Sequence, residues 1–113
     1  MTTAHIHRIA TAVPPHDVHR AFVTFAETLV PEGTVRNLFR RMVRMSAIEH
    51  RYSFLQPIGD GESYWRDAEN LYVVGNFPTT RRRMQAFERF APRLAGCALD
   101  KLNLTRAERE SIR

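Results

Sequence analysis

The sequence predicts a mixed α/β protein whose elements follow the order strand, helix, helix, strand, long kinked helix. Residues 48–55 are rich in β-branched and aromatic side chains, which is typical of a strand. Three other segments place apolar residues at the i, i+3, i+4 and i+7 positions of amphipathic helices. Two strands do not form a stable sheet by themselves.

The first strand is predicted at 5–13, since the following Pro14–Pro15 pair cannot continue a strand. Asp17 is a suitable cap for the helix that comes next. The segment Pro31-Glu32-Gly33 then breaks this helix. Its apolar positions form one stripe that we expect to be buried: Val18, Ala21, Phe22, Phe25, Ala26, Leu29 and Val30.

The second helix begins after Thr34, a residue that favours the cap position. It carries four arginines on one side, at positions 36, 40, 41 and 44. Near Ser46 the period changes from helical to that of the second predicted strand. The expected buried stripe of this helix is Val35, Leu38, Phe39, Met42 and Val43.

A polar loop, 56–70, follows the second strand and contains Gly59-Asp60-Gly61, so we expect mobility there. Pro78 and Thr79 or Thr80 begin the third helix, which Pro92 should kink because proline lacks the N–H that the helix uses. Thr105 and Glu108 have the spacing of a capping box for a short last helical turn. The expected buried face of the third helix is Met84, Phe87, Ala91, Leu94, Ala95, Ala98 and Leu102.

Composition limits the classes of protein. A chain of 113 residues makes at most one domain, and no apolar run approaches the length of a membrane span. Cys97 is the only cysteine, which excludes an intrachain disulfide and favours the reducing cytoplasm. The net charge of +5 permits anionic partners, either nucleic acid or the nucleotide end of coenzyme A.

Three blocks of residues resemble the chalcone/stilbene synthase family, the type III polyketide synthases. Phe39-x-Arg41-Met42, followed by Ser46-x-Ile48-x-x-Arg51-Tyr52, is similar to the family's early helix and strand. Upstream, Ile9-Ala10-Thr11-Ala12-Val13-Pro14 resembles its first strand and turn. Downstream, Phe77-Pro78-x-Thr80-x-x-Arg83-Met84 and Pro92-Arg93-Leu94 resemble its long third helix. The blocks occur in the family's order and span nearly the whole chain.

The resemblance implies that residues 1–113 are the N-terminal segment of a thiolase-like domain, truncated before the catalytic region. The complete enzyme would be a cytoplasmic, homodimeric acyltransferase that condenses malonyl-CoA units onto an acyl-CoA starter, with CoA thioesters as substrates and no separate cofactor. The family's catalytic cysteine, histidine and asparagine belong to parts of the fold beyond Arg113. We therefore expect no catalytic residue in this chain, which by itself should be inactive. Cys97 is expected within the third helix, where no nearby base would activate its thiol.

The resemblance also implies a substrate-binding role for the second helix. Arg41 matches a family position that holds CoA phosphates at the mouth of the active-site tunnel, and a guanidinium suits phosphate because it donates two parallel hydrogen bonds. Leu38 and Met45 stand where the plant enzymes carry lysines, so Arg40 or Arg44 would have to compensate. A solvated basic face with no ligand is the alternative interpretation.

Other interpretations of the basic and histidine-rich segments carry less weight. His5, His7, His16 and His19 could hold zinc in principle, but no thiolate or carboxylate cluster supports them, and we predict no metal. Arg81-Arg82-Arg83 opposes the dipole of the third helix. A non-catalytic binding or assembly module related to the family is the second functional reading, and self-association through exposed apolar surface is expected. The composition argues less for nucleic-acid binding, since a strand and a long loop separate the second and third helices, which carry the arginines, in place of the short turn of a helix-turn-helix.

Overall fold

The computed structural model describes residues 2–59 and 66–112, and these residues form a mixed α/β structure. In this part of the chain there are four helices and two antiparallel sheets of two strands each. The elements are β1 (His16–Asp17), α1 (His19–Thr28), α2 (Thr34–Met45), β2 (Tyr52–Ser53), β3 (Pro57–Ile58), β4 (Arg66–Asp67), α3 (Thr80–Lys101) and α4 (Arg106–Ser111).

Each of the two sheets consists of two strands, and each strand is two residues long. β1 pairs with β2, so that His16 lies opposite Ser53, and β3 pairs with β4, so that Pro57 lies opposite Asp67. The second pair lies in the segment for which the sequence predicted a mobile loop. Part of that prediction, including Asp60 and Gly61, lies outside the described residues.

Both predicted strands are wrong in extent. Residues 5–13 form no regular structure, and the side chains of Ile6 and Ile9 are exposed. Within 48–55, only β2 is a strand. A strand needs a neighbour that takes its backbone hydrogen bonds, and the described part of the chain offers 5–13 no such neighbour. The predicted order of elements is otherwise preserved.

The predicted helix caps agree with the structure at the last two helices and agree less well at the first two. Thr79 caps α3 by accepting a hydrogen bond from the backbone N–H of Arg82, and α4 begins with the predicted capping box of Thr105 and Glu108. α3 contains Pro92 and continues through it. The predicted Thr34 cap is wrong, because Gly33 precedes α2 without a side-chain cap. Asp17 lies one residue before Val18, the residue that precedes α1, yet its carboxylate accepts a hydrogen bond from the backbone N–H of His19, the first residue of that helix.

The core is small and centres on α1. Phe25 is fully buried, with the ring of Tyr72 edge-on at 5.5 Å and the ring of Phe77 at 6.3 Å. Ala21, Leu71 and Pro78 are the other buried apolar residues of the described chain. The stripe predicted for the first helix is thus confirmed at its centre. Phe22 and Leu29, at its margin, are exposed.

The faces predicted to be buried on the second and third helices are at most half-buried. Neither α2 nor α3 contains a fully buried residue. The exposed side chains include Leu38 and Met42 on α2, and Met84 and Phe87 on α3. Amphipathic spacing shows which side of a helix is apolar, but burial needs a second apolar surface to cover that side.

The molecule is extended for its size. Its dimensions are 61 × 30 × 26 Å and its radius of gyration is 19.2 Å, whereas a compact chain of this length has a radius of about 13 Å. The accessible surface is 9197 Å², and a folded monomer of this mass exposes about 6,400 Å². The apolar faces therefore remain uncovered in this structure.

The N-terminal segment is held by one arginine rather than by strand pairing. Arg8 donates hydrogen bonds to the carbonyls of Leu102 (3.2 Å) and Asn103 (2.7 Å), just after α3. Its second amino group pairs with Glu108 of α4 at 2.9 Å. These contacts fasten the segment before β1 to the junction of the last two helices.

Candidate functional site

The basic side of α2 is the candidate site, and its four arginines are not equivalent. Two of them bind carboxylates of the preceding helix and turn. Arg36 pairs with Glu32 at 3.1 Å and donates to the carbonyl of Val30. Arg40 pairs with Glu27 of α1 at 2.8 Å. Arg36 and Arg40 therefore hold α2 against α1 and the turn between them.

The pair between Arg40 and Glu27 affects the acidity of both groups. The hydrogen bond from Arg40 is the main reason why the pKa of Glu27 lies below its ordinary value. The same bond raises the pKa of Arg40. Because its charge is already neutralised, Arg40 is a weaker candidate for binding phosphate than the sequence indicated.

Arg41 and Arg44 have no such partners. Both are exposed, and within the described residues neither makes a hydrogen bond or an ion pair. Their guanidinium groups remain available to an anion from solution. Of the three arginines predicted to bind CoA phosphates, these two keep that capacity in full, and the prediction for Arg41 stays a prediction.

Arg41 is flanked on α2 by exposed apolar side chains. In a helix, positions three and four residues apart are neighbours on the surface, so Arg41 lies between Leu38 and Met45. Both side chains are exposed. The guanidinium of Arg41, which has no partner within the described residues, thus lies beside apolar surface. Arg44 lies one helical turn after Arg40, on the polar side of α2.

Two of the three arginines at the start of α3, Arg82 and Arg83, make structural contacts. Arg82 donates to the carbonyl of Asn70 at 2.9 Å. Arg83 donates to the hydroxyl of Thr80, and its guanidinium lies 5.3 Å from the ring centroid of Phe77. These contacts offset the unfavourable placement of positive charge at a helix N-terminus.

A second polar cluster joins the start of α1 to the segment before β2. The Asp17 carboxylate accepts hydrogen bonds from the backbone N–H groups of His19 and Arg51, and its Oδ2 lies 2.6 Å from Nδ1 of His50. The bond to His50 is the largest cause that lowers the pKa of Asp17, to about 2, and it also raises the pKa of His50. No local spacing in the sequence signals this contact.

Asp67 is the one buried acid among the described residues, at 2% exposure. Its carboxylate accepts hydrogen bonds from the backbone N–H groups of Glu69, Leu71 and Tyr72, and so closes the turn after β4. The neighbouring cleft, of about 220 Å³, is lined mainly by apolar side chains of α1 and the β2–β3 segment. All oxygens of Asp67 serve the backbone, so this residue is structural, and the sequence analysis missed it.

The remaining candidates show no constellation for chemistry. Cys97 is a free, exposed thiol within α3. In residues 2–59 and 66–112, no group of three or more histidine, cysteine, aspartate or glutamate side chains is arranged to hold a metal ion. The rings of His5 and His7 are tilted and 6.4 Å apart. No helix in these same ranges is long and apolar enough to cross a bilayer.

The comparisons with known proteins provide no relative. A scan against protein-family models finds no match, and searches of curated proteins and of solved structures find none either. A functional conclusion must therefore depend on the residue motifs and on the geometry described above.

Proposed function

We propose that this chain is the N-terminal portion of a type III polyketide synthase with a thiolase-like fold, which acts in the cytoplasm. In that protein, α2 would contribute to the site that holds the phosphates of CoA thioesters, while the condensing chemistry would come from other parts of the domain. The observation that carries the proposal is the state of Arg41. It matches the family's phosphate-binding position, and it is an exposed cation that has no acidic partner within residues 2–59 and 66–112.

The extended shape supports the idea that more protein covers this chain. Its surface exceeds that of a compact monomer by roughly 2,800 Å² when the scaling for folded proteins is applied. Much of the exposed apolar surface lies on α3, for example at Phe87 and Leu99. In a thiolase-like domain, the central sheet would cover such a helix.

A guanidinium in this position would act by binding rather than by chemistry. Arg41 would hold a phosphate of CoA equally well before and during the reaction, so it would lower KM without raising kcat. Arg44 would add a second charge. Arg40, paired with Glu27, would instead fix the angle at which α2 presents Arg41.

Titration of the chain with CoA by calorimetry at low salt tests this role. We expect Arg41→Ala to weaken binding about twofold to fivefold, the size of an exposed ion pair. Arg81→Ala is the matched control, because Arg81 is likewise exposed and unpaired within the described residues. An equal effect of the two substitutions, or no effect of Arg41→Ala, would show that the basic side of α2 is solvated and does not bind CoA.

The second candidate is a non-catalytic module of the same family that assembles with a partner. The large uncovered surface favours it as much as it favours a longer enzyme. The reading frame after the codon for Arg113 distinguishes the two. Continuation into an apolar strand, and later into a helix that begins with Gly-Cys, supports the synthase, whereas a stop codon supports the assembly module.

A further inference from the structure

α2 has an apolar face whose side chains are exposed. Its exposed members are Val35, Leu38, Met42 and Met45, at 55%, 56%, 61% and 72% exposure. The half-buried residues of the helix include Phe39 and Val43, which by helical spacing share a side with Arg36 and Arg40, the residues that bind Val30 and Glu27. The outer face is therefore separate from the contact that already holds α2 in place.

The spacing of the outer face is that of a helix–helix contact. Positions 35, 38, 42 and 45 follow the i, i+3, i+7, i+10 pattern, which keeps side chains in a straight line when one helix lies along another. The line is about 15 Å long at the rise of an α-helix. The surface is convex, so it suits an elongated partner better than a small molecule, which needs a concave site.

The charge beside this line selects the kind of partner. α2 contains four arginines and no acidic residue, and Arg41 lies directly beside Leu38 and Met45. A second copy of α2 would bring two such arginine-rich helices together and create repulsion. A helix that carries glutamates beside its own apolar line would instead neutralise Arg41.

We propose that the outer face of α2 binds an acidic amphipathic helix of a partner protein. The partner's apolar side chains would lie on Leu38 and Met42, and its flanking carboxylates would pair with Arg41. A membrane surface fits less well, because the exposed line contains no aromatic residue of the kind that anchors interfacial helices. The proposal does not depend on CoA binding. If Arg41 does hold CoA, the partner helix and CoA compete for it.

Two synthetic helical peptides test the proposal against the full chain, in the absence of CoA. Both carry leucine at heptad positions a and d; one has glutamate and the other lysine at the flanking e and g positions. By fluorescence anisotropy at low salt, we expect the glutamate peptide to bind at least tenfold more tightly than the lysine peptide. The double substitution Leu38→Ser/Met42→Ser should weaken this binding tenfold or more, and Arg41→Glu/Arg44→Glu should reverse the preference between the peptides.

Met84→Ser/Phe87→Ser is the matched control, because it removes equally exposed apolar side chains from α3 and should leave peptide binding unchanged. Circular dichroism verifies that each variant keeps its helices. Equal binding of the two peptides, no binding at millimolar concentration, or loss of binding in the α3 control would overturn the proposal. So would sedimentation with vesicles of phosphatidylcholine and phosphatidylglycerol that depends on Leu38 and Met42 without any binding of the glutamate peptide, since this face would then be a membrane-binding surface.

Discussion

The carboxylate of Asp17 and the imidazole of His50 lie 2.6 Å apart, although 33 residues separate them in the sequence. The same carboxylate accepts the backbone N–H groups of His19 and Arg51. One side chain therefore links the start of α1 to the segment that leads into β2. This link supplements the pairing of β1 with β2, which is only two residues long.

This contact makes stability depend on pH in both directions. The pKa of Asp17 is lowered to about 2, so its contribution is complete above the unfolded pKa near 4 and is lost as the pH falls toward 2. The pKa of His50 is raised, so its contribution is complete below the unfolded value near 6.5 and is lost as the pH rises through the folded value. The pair should stabilise the fold most between about pH 4 and pH 6.5.

Asp17→Asn keeps an oxygen for the backbone N–H groups and removes the charge. We expect it to lower the urea midpoint most within that pH window and to flatten the pH dependence. Asp100→Asn is the control, since no interaction of the Asp100 side chain is found within the described residues. A similar flattening in both variants would show that net charge, not this pair, causes the effect.

Asp67→Ala should destabilise the chain by about 2–4 kcal/mol, because three buried or half-buried N–H groups lose their acceptor. Equilibrium unfolding in urea measures the change. Asp67→Asn should also destabilise, because its NH₂ group would face the N–H of Tyr72 or that of Leu71. If Asp67→Asn were neutral, the turn after β4 would not depend on the carboxylate.

Ala47→Gly should stabilise the chain by about 0.5–1 kcal/mol, since an L-residue in the left-handed region is strained and glycine is not. Ala47 follows the end of α2 with φ = 52°. Ala95→Gly within α3 is the opposite control and should destabilise by about 0.5–1 kcal/mol. Thermal melts of the two variants should shift in opposite directions.

The uncovered apolar surface should make the isolated chain bind a hydrophobic dye and self-associate. Phe87→Ser, at a site that is 62% exposed on α3, should reduce both without loss of helicity. Light scattering and dye fluorescence measure the two effects. A single monomer peak with cooperative melting and no dye binding would contradict this expectation.

The isolated chain should show no condensing activity, because Cys97, the one cysteine in the sequence, lies in the last two turns of α3 and not at a helix N-terminus, where nucleophilic thiols are activated. Incubation with an acyl-CoA and malonyl-CoA, followed by mass spectrometry, tests this. A polyketide product, or an acyl group on Cys97, would show that the chain contains a nucleophile of its own.

The sequence predicted correctly those features that depend on residues within one helical turn of each other. Thr79 and the Thr105–Glu108 box lie within one turn of the helix ends that they determine, and both ends were found as expected. The strand expected at 5–13 depends on a distant pairing partner, and no spacing within those nine residues could show whether one is present. The basic character of α2 was evident from the sequence. That Arg40 is paired, whereas Arg41 has no partner among the described residues, depends on the position of Glu27 on α1.

The attachment of Arg8 to Leu102, Asn103 and Glu108 bears on how the chain folds as it is made. These contacts join residues that lie 94 or more positions apart, and a ribosome needs roughly 5–20 s to synthesise that length. The first dozen residues therefore stay without their anchor until α4 has emerged, and they carry the exposed side chains of Ile6 and Ile9 during that time. A chaperone that binds short apolar segments can bind this segment during that interval. After Glu108 has been synthesised and has paired with Arg8, the segment is anchored and the chaperone can no longer bind it.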